Sequence, residues 1–197
     1  MFSGIVEATA ILEEIVMEGT NHHFQLQTPL AAELKVDQSV AHDGVCLTVT
    51  RCSAHHYWVT AVKETLAVTS LQQWKSGQVI NLERSIQLST RLDGHLLQGH
   101  VDTLGHCTRI VDQDGSWDFY FRFDRLWAAN LVHKGSVAIN GVSLTVIDPG
   151  EDTFHVTIIP YTYTHTNFNK IGIGTAVNLE FDILGKYFLR HLALQKD

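Results

Sequence analysis

Two hexapeptides hold the residue types best suited to chemistry. Gly44-Val45-Cys46-Leu47-Thr48-Val49 is echoed by Gly141-Val142-Ser143-Leu144-Thr145-Val146. Read as strands, whose side chains alternate between faces, the first puts Val45, Leu47 and Val49 on one side and Cys46, Thr48 and Thr50 on the other. The second sets Val142, Leu144 and Val146 against Ser143 and Thr145. The aliphatic face belongs to a core. The opposite face offers a small thiol or hydroxyl and then a threonine, at the same place in both copies. Such side chains beside backbone N–H groups suit a flat heteroaromatic ring with carbonyl and ring-nitrogen edges. A Thr-rich strand facing solvent would show the same alternation, but its duplication points to two related ligand pockets.

The elements that position these faces are duplicated too. Gly77 and Gly174, Asn81-Leu82-Glu83 and Asn178-Leu179-Glu180, and Thr65 and Thr162 keep the 97-residue offset of the hexapeptides. Phe2-Ser3-Gly4-Ile5-Val6 resembles Leu97-Gln98-Gly99-His100-Val101 at an offset of 95. Echoes in one register mean a repeated domain of about 90 residues. The join falls in the polar stretch 85–93, giving a first domain over 1–93, a second over 94–181 and a tail over 182–197.

Each half reads as all-β. Asp43-Gly44 and Asn140-Gly141 are the dipeptides that type I′ hairpin turns demand, and they join Ser39–His42 to Val45–Thr50 and Ser136–Ile139 to Val142–Ile147. Further turns at Asp114-Gly115 and Asp148-Pro149-Gly150 suggest a small closed barrel per half. Short helical turns are expected after Thr65 and Thr162. In the tail, Ile183, Leu184, Tyr187, Phe188 and Leu192 fall on one helical stripe, with Asp182 placed to cap free N–H groups. That helix either lies over a barrel edge or forms an oligomer contact.

Composition excludes several classes. The chain has 197 residues, 45% apolar and 18% charged, with a net charge of −7. It can bury a core and is not a charged disordered chain. Without a Lys/Arg run, nucleic acid is an improbable partner, although Tyr57, Trp58 and Tyr120 could stack on bases. No apolar run approaches a membrane span and no secretory signal opens the chain. Three sparse cysteines argue against a disulfide framework and for a cytoplasmic location. The twelve histidines lack ligand spacing, so no metal site is expected.

Met1-Phe2-Ser3-Gly4-Ile5-Val6-Glu7, the two Asp/Asn-Gly-Val-Cys/Ser-Leu-Thr-Val segments, Lys63-Glu64-Thr65-Leu66, Gly94-His95-Leu96-Leu97-Gln98-Gly99-His100-Val101-Asp102 and Val177-Asn178-Leu179-Glu180 together resemble riboflavin synthases of the alpha-subunit type, over nearly the whole chain. The resemblance implies two tandem six-stranded β-barrels with a C-terminal α-helix, assembled as a homotrimer. It implies a small-molecule substrate, 6,7-dimethyl-8-ribityllumazine. Two molecules dismutate into riboflavin and 5-amino-6-ribitylaminouracil by transfer of a four-carbon unit, with no cofactor or metal. The active site pairs the N-terminal barrel of one subunit with the C-terminal barrel of another.

Carried over residue by residue, a first pocket is expected from Gly4, Ile5 and Val6, Cys46, Leu47 and Thr48, and Thr60, Ala61, Val62, Lys63, Glu64 and Thr65. A second is expected from Gly99, His100 and Val101, Ser143, Leu144 and Thr145, and Ile158, Ile159, Pro160, Tyr161, Thr162 and Tyr163. Lys134 matches a lysine that reaches a ligand across a subunit boundary, and Asp182 an acid expected near the ribityl chain or in the active-site polar network. His100 is the expected proton-transfer residue, and His95 supports its loop. Cys46 either adds to the substrate, positions a water or acts as a small hydrophobe. Ser143 and Thr145 orient substrate. Val45 and Tyr161 depart from the commonest family residues. The rival within the same scaffold is a non-catalytic lumazine- or flavin-binding antenna protein, which typically blurs the Leu-Thr-Val motifs that are intact here.

Overall fold

The computed structural model describes residues 1–89 and 91–195; the last two residues of the tail lie outside it. Strands β1 (Ala8–Glu18), β2 (Asn21–Gln27), β3 (Ser39–His42), β4 (Val45–Cys52), β5 (His56–Ala61) and β6 (Val79–Arg84) close a barrel in the order β1-β2-β5-β4-β3-β6. Strands β7 (Thr103–Asp112), β8 (Trp117–Arg122), β9 (Ser136–Ile139), β10 (Val142–Thr145), β11 (Thr153–Ile158) and β12 (Ala176–Phe181) repeat that order as β10-β9-β12-β7-β8-β11.

The second sheet is left open between β10 and β11, where closure was expected. Strand β10 ends at Thr145, short of Ile147, and beyond it only Ile147 bridges His155. Pro149 has no N–H to extend a ladder, and Asp148 at φ 44° turns the chain away.

The alternation legible in the sequence sets the cores. Val45, Leu47 and Val49 are buried with Phe24, Leu26, Tyr57 and Ile80 in the first barrel. Aromatics fill the second: Phe119, Phe121, Phe154, Phe168 and Phe181. A fully buried Phe or Leu contributes roughly 1.5–3 kcal/mol, so these clusters hold each barrel together and polar contacts orient the pair. Both hairpin turns have the left-handed backbone expected, with φ of 46° and 80° at Asp43 and Gly44 and of 47° and 76° at Asn140 and Gly141.

The turns meet back to back at a pseudo-twofold axis. The Asn81 N–H donates to Asp43 Oδ1 at 2.8 Å and the Asn178 N–H to Asn140 Oδ1 at 2.8 Å. The two asparagine side chains then cross over. Asn81 Nδ2 donates to the Asn140 carbonyl at 2.9 Å and Asn178 Nδ2 to the Asp43 carbonyl at 2.9 Å.

The helical turns start earlier than expected. Helices α1 (Lys63–Val68) and α2 (Pro160–His165) contain Thr65 and Thr162 rather than following them. Pro160 supplies a preset φ at the first helical position, and the N–H groups of Leu66 and Tyr163 reach the carbonyls of Val62 and Ile159. Helix α3 (Ile183–Leu194) is capped by Asp182, whose Oδ1 accepts from the Leu184 N–H at 3.0 Å. No described helix is long and apolar enough to cross a membrane.

Candidate functional site

The same seam opens in both barrels. The β4–β5 ladder runs from Cys52↔Tyr57 to Val49↔Val59 and stops, so Cys46–Thr48 and Thr60–Val62 part company. Strand β10 has no ladder with β11 at all, which separates Ser143–Thr145 from the strand leading into α2. Val49 donates toward Gln38 on the β3 side. Amides one residue off turn the other way, so Cys46 and Thr48 present their edges to the seam.

What borders each seam corrects the expected grouping. The Cys46 N–H donates to the Gly99 carbonyl at 2.9 Å, and the Ser143 N–H to the Gly4 carbonyl at 2.8 Å. The leading segments are therefore exchanged: Gly4–Val6 serve the seam of the second barrel and Gly99–Val101 that of the first. Val6 packs on the second core and Val101 on the first. The crossing is fixed by Phe2 and Leu97, both buried, whose backbones pair antiparallel at 2.8 and 3.0 Å.

Gly4 and Gly99 both have φ of 78°. A Cβ on Gly4 would stand 2.6 Å from Ser143 Cβ, and one on Gly99 2.5 Å from Cys46 Cβ. Only glycine supports that backbone and that approach.

Two carboxylates that sequence reasoning left out of the site hold these segments. Glu83 Oε1 accepts from the Ser3 N–H at 2.5 Å and the Ser3 hydroxyl at 2.7 Å, and its Oε2 from the Gly4 N–H at 2.9 Å. Glu180 Oε1 accepts from the Gln98 N–H at 2.7 Å, and Oε2 from the N–H groups of Gly99 and His100 at 3.0 and 3.1 Å. Burial pushes both carboxyls above the usual range although these donors pull the other way. The signal was present in the Asn-Leu-Glu echo.

Chemistry concentrates at the second seam. His95 Nδ1 and Ser143 Oγ share a hydrogen bond of 2.7 Å, while His95 Nε2 is buried with no partner among the described residues. Burial lowers the His95 pKa, partly offset by the charge of Asp182. A neutral imidazole therefore sits on a serine hydroxyl, the pairing that activates a nucleophile or relays a proton. His95, expected only to support a loop, is the direct partner of Ser143. His100 is exposed and its side chain makes no hydrogen bond among the described residues.

The remaining positions rim the seams. In the first, Thr60 Oγ1 lies 2.8 Å from His23 Nδ1, Ala61 is buried, Thr65 is half-buried, and Thr48, Val62, Lys63 and Glu64 are exposed. In the second, Leu144, Thr162 and Tyr163 are half-buried, Ile158 is buried, and Ile5, Thr145, Ile159, Pro160 and Tyr161 are exposed. Tyr163 stacks on Trp117 at 3.9 Å and Tyr161 on His165 at 4.1 Å. Lys134 is exposed on a left-handed turn before β9. Tyr57, considered as a stacking platform, is fully buried with its hydroxyl 2.8 Å from His42 Nε2.

A doubled barrel with one seam per copy, each bordered by the other copy's lead-in, defines a tandem ring-binding protein. The model of the lumazine binding domain family matches residues 3–85 and again 98–182. The chain is 35% identical over 193 residues to a riboflavin synthase of Bacillus subtilis, covering 98% of this chain and 90% of that one. It is also 35% identical to one of Schizosaccharomyces pombe, covering 95% and 91%. The fold matches LumP complexed with riboflavin at a TM-score of 0.86 and 20% identity, over 92% of this chain and 99% of that one. LumP complexed with 6,7-dimethyl-8-(1'-D-ribityl) lumazine matches at 0.84 and 20%, over the same shares. The chain belongs to the riboflavin synthase family of tandem lumazine-binding proteins.

Proposed function

We propose that this protein makes riboflavin by dismutating two molecules of 6,7-dimethyl-8-ribityllumazine. The observation that carries the reading is the seam present twice, with hydrogen-bonding residues that differ between copies. Two identical substrates need two similar cradles but opposite treatment. One must lose a proton from its 7-methyl group, whose carbanion delocalises into the pteridine. The other must accept a nucleophile at C7. The pair then joins into a pentacyclic adduct, and two eliminations release riboflavin and 5-amino-6-ribitylaminouracil. Atoms balance without oxidant or added carbon.

Cys46 with exchanged Gly99–Val101 forms one cradle, and Ser143 with exchanged Gly4–Val6 the other. The neutral His95–Ser143 pair relays protons in the second, and His100 is the exposed acid–base group of the first. Holding two rings in register supplies effective molarities of roughly 10⁵ M or more, so stacking carries much of the rate. Both cradles are open to solvent in a single chain, at Ile5, Val62, Ile159 and Tyr161. A second copy closes them, and the exposed apolar face of α3 supports assembly as a homotrimer. Three free cysteines suit a reducing cytoplasm.

Incubation with excess lumazine, followed by riboflavin absorbance and recovery of the pyrimidine product in equal amount, tests the reading. A protein that binds lumazine tightly and forms no riboflavin is an antenna instead.

A further inference from the structure

Glu83 lies next to last in the final strand of the first barrel and Glu180 next to last in that of the second. They are 4% and 3% exposed, and among the described residues neither side chain hydrogen-bonds to the seam of its own barrel. Each instead grips a segment whose glycine carbonyl accepts a hydrogen bond from the seam strand of the opposite barrel. The Gly99 peptide is held on its N–H by Glu180 of the second barrel and on its carbonyl by Cys46 of the first. The Gly4 peptide is held on its N–H by Glu83 of the first barrel and on its carbonyl by Ser143 of the second.

We propose that Glu83 and Glu180 are crossed positioning residues, each carboxylate in one barrel fixing the ligand-facing backbone of the other barrel's seam. Glu180 sets the Cys46 seam and, through the His100 N–H, the origin of that imidazole. Glu83 sets the Ser143 seam. The two half-sites are then coupled within one chain: neither is complete in an isolated barrel. Both oxygens of each carboxylate accept backbone N–H groups. Glutamine in either orientation therefore turns its NH₂ toward at least one donor, and a buried N–H left without an acceptor is costly.

The test uses the full chain and two site-resolved readouts. One is amide hydrogen exchange of the peptides spanning 2–6 and 97–101. The other is protection of Cys46 from alkylation by riboflavin, mapped by mass spectrometry with exposed Cys52 as the reference. Glu180→Gln should speed exchange at 98–100 and raise the riboflavin concentration for half-protection of Cys46, each by about tenfold. Exchange at 3–4 should stay within about twofold. Glu83→Gln should do the reverse. Glu180→Asp, which keeps both acceptors but withdraws them by one methylene, should shift the same readouts in the same direction by less, and it serves if the glutamine variant does not fold.

A general loss of structure would move both segments in both variants, and that pattern, or each variant loosening its own barrel's seam, would overturn the proposal. The ligand arm rests on the function proposed above. If riboflavin protects neither Cys46 nor peptide 2–6 in the unmodified protein, that reading fails, while exchange in the ligand-free variants still decides the crossed assignment.

Discussion

Ser143 and His95 form the most chemically pointed pair in the molecule, and they set the predictions at the residue scale. Replacing Ser143 by alanine removes the hydroxyl that meets His95 Nδ1 at 2.7 Å but leaves the core untouched. Turnover should fall about 100-fold or more, the usual reach of a positioned proton-transfer group, with Tm within about 2 °C of the parent. Parent-like turnover would remove Ser143 from the mechanism. The pH dependence has a definite sign. Burial lowers the His95 pKa from 6.5 and the Asp182 charge raises it in part, so the reactive neutral form persists below pH 6.5. Linked stability is present above the unfolded value and is lost as pH falls through 6.5, because the unfolded chain then binds more protons. Asp182→Asn removes the charge that favours imidazolium. The acid limb of kcat/KM, measured from pH 4.5 to 8, should therefore move to still lower pH. An unmoved limb would assign it to another group.

At the scale of elements, the hairpin turns at the axis differ in one residue: Asp43 stands where the second copy has Asn140. Asp43 Oδ1 accepts from the Asn81 N–H and from Asn167 Nδ2 at 2.9 Å. Burial nonetheless dominates and pushes its pKa to about 8. The native state then holds a proton that the unfolded chain releases near pH 4, so stability declines as pH rises from about 4 to 8. Asp43→Asn keeps the Oδ1 acceptor and removes this penalty. Calorimetry at pH 5 and pH 8 should show a higher Tm for the variant, with the larger gain at pH 8; a gain that shrinks with pH would mean Asp43 is ionised in the fold. These turns were legible in the sequence because Asp-Gly and Asn-Gly act locally. The offset of 97 likewise revealed the paired strands. The exchange of Gly4 and Gly99 was not legible, since either pairing places the same residue types against the same strands. Only the antiparallel meeting of Phe2 with Leu97 selects one. Glu83 and Glu180 were visible only as part of the Asn-Leu-Glu echo. They lie next to last in strands that read as core, and what they bind is backbone, so no side-chain pattern pointed to their partners.

At the scale of the whole molecule, helix α3 has no buried residue among those described. It is tied down at its first turn, where Lys186 Nζ meets both Asp102 oxygens at 2.8 and 2.7 Å. Leu184 in that turn and Tyr187 and Phe188 just beyond it are nonetheless 73%, 70% and 62% exposed. The stripe foreseen in the tail therefore faces outward, against the reading that laid it over a barrel edge. An apolar helix face left in water is costly, by roughly 25 cal/mol for each Å², and the assembly proposed above would relieve that cost. On the proposed function the seams would make the same demand, because Val62 at one and Ile159 and Tyr161 at the other are exposed in the single chain. Assembly and turnover should fail together while binding survives. In Tyr187→Glu/Phe188→Glu, two charges enter the outward face without touching either core. Sedimentation should show a monomer whose thermal unfolding resembles that of the barrels in the parent. Riboflavin should still bind to that monomer, since Gly99, Cys46, Gly4 and Ser143 are arranged within one chain. Dismutation should drop by at least about 100-fold, because two rings bound on separate open faces lose the orientation that makes their encounter effectively intramolecular. A monomer that turns over at the parent rate would show that one chain brings both substrates together by itself.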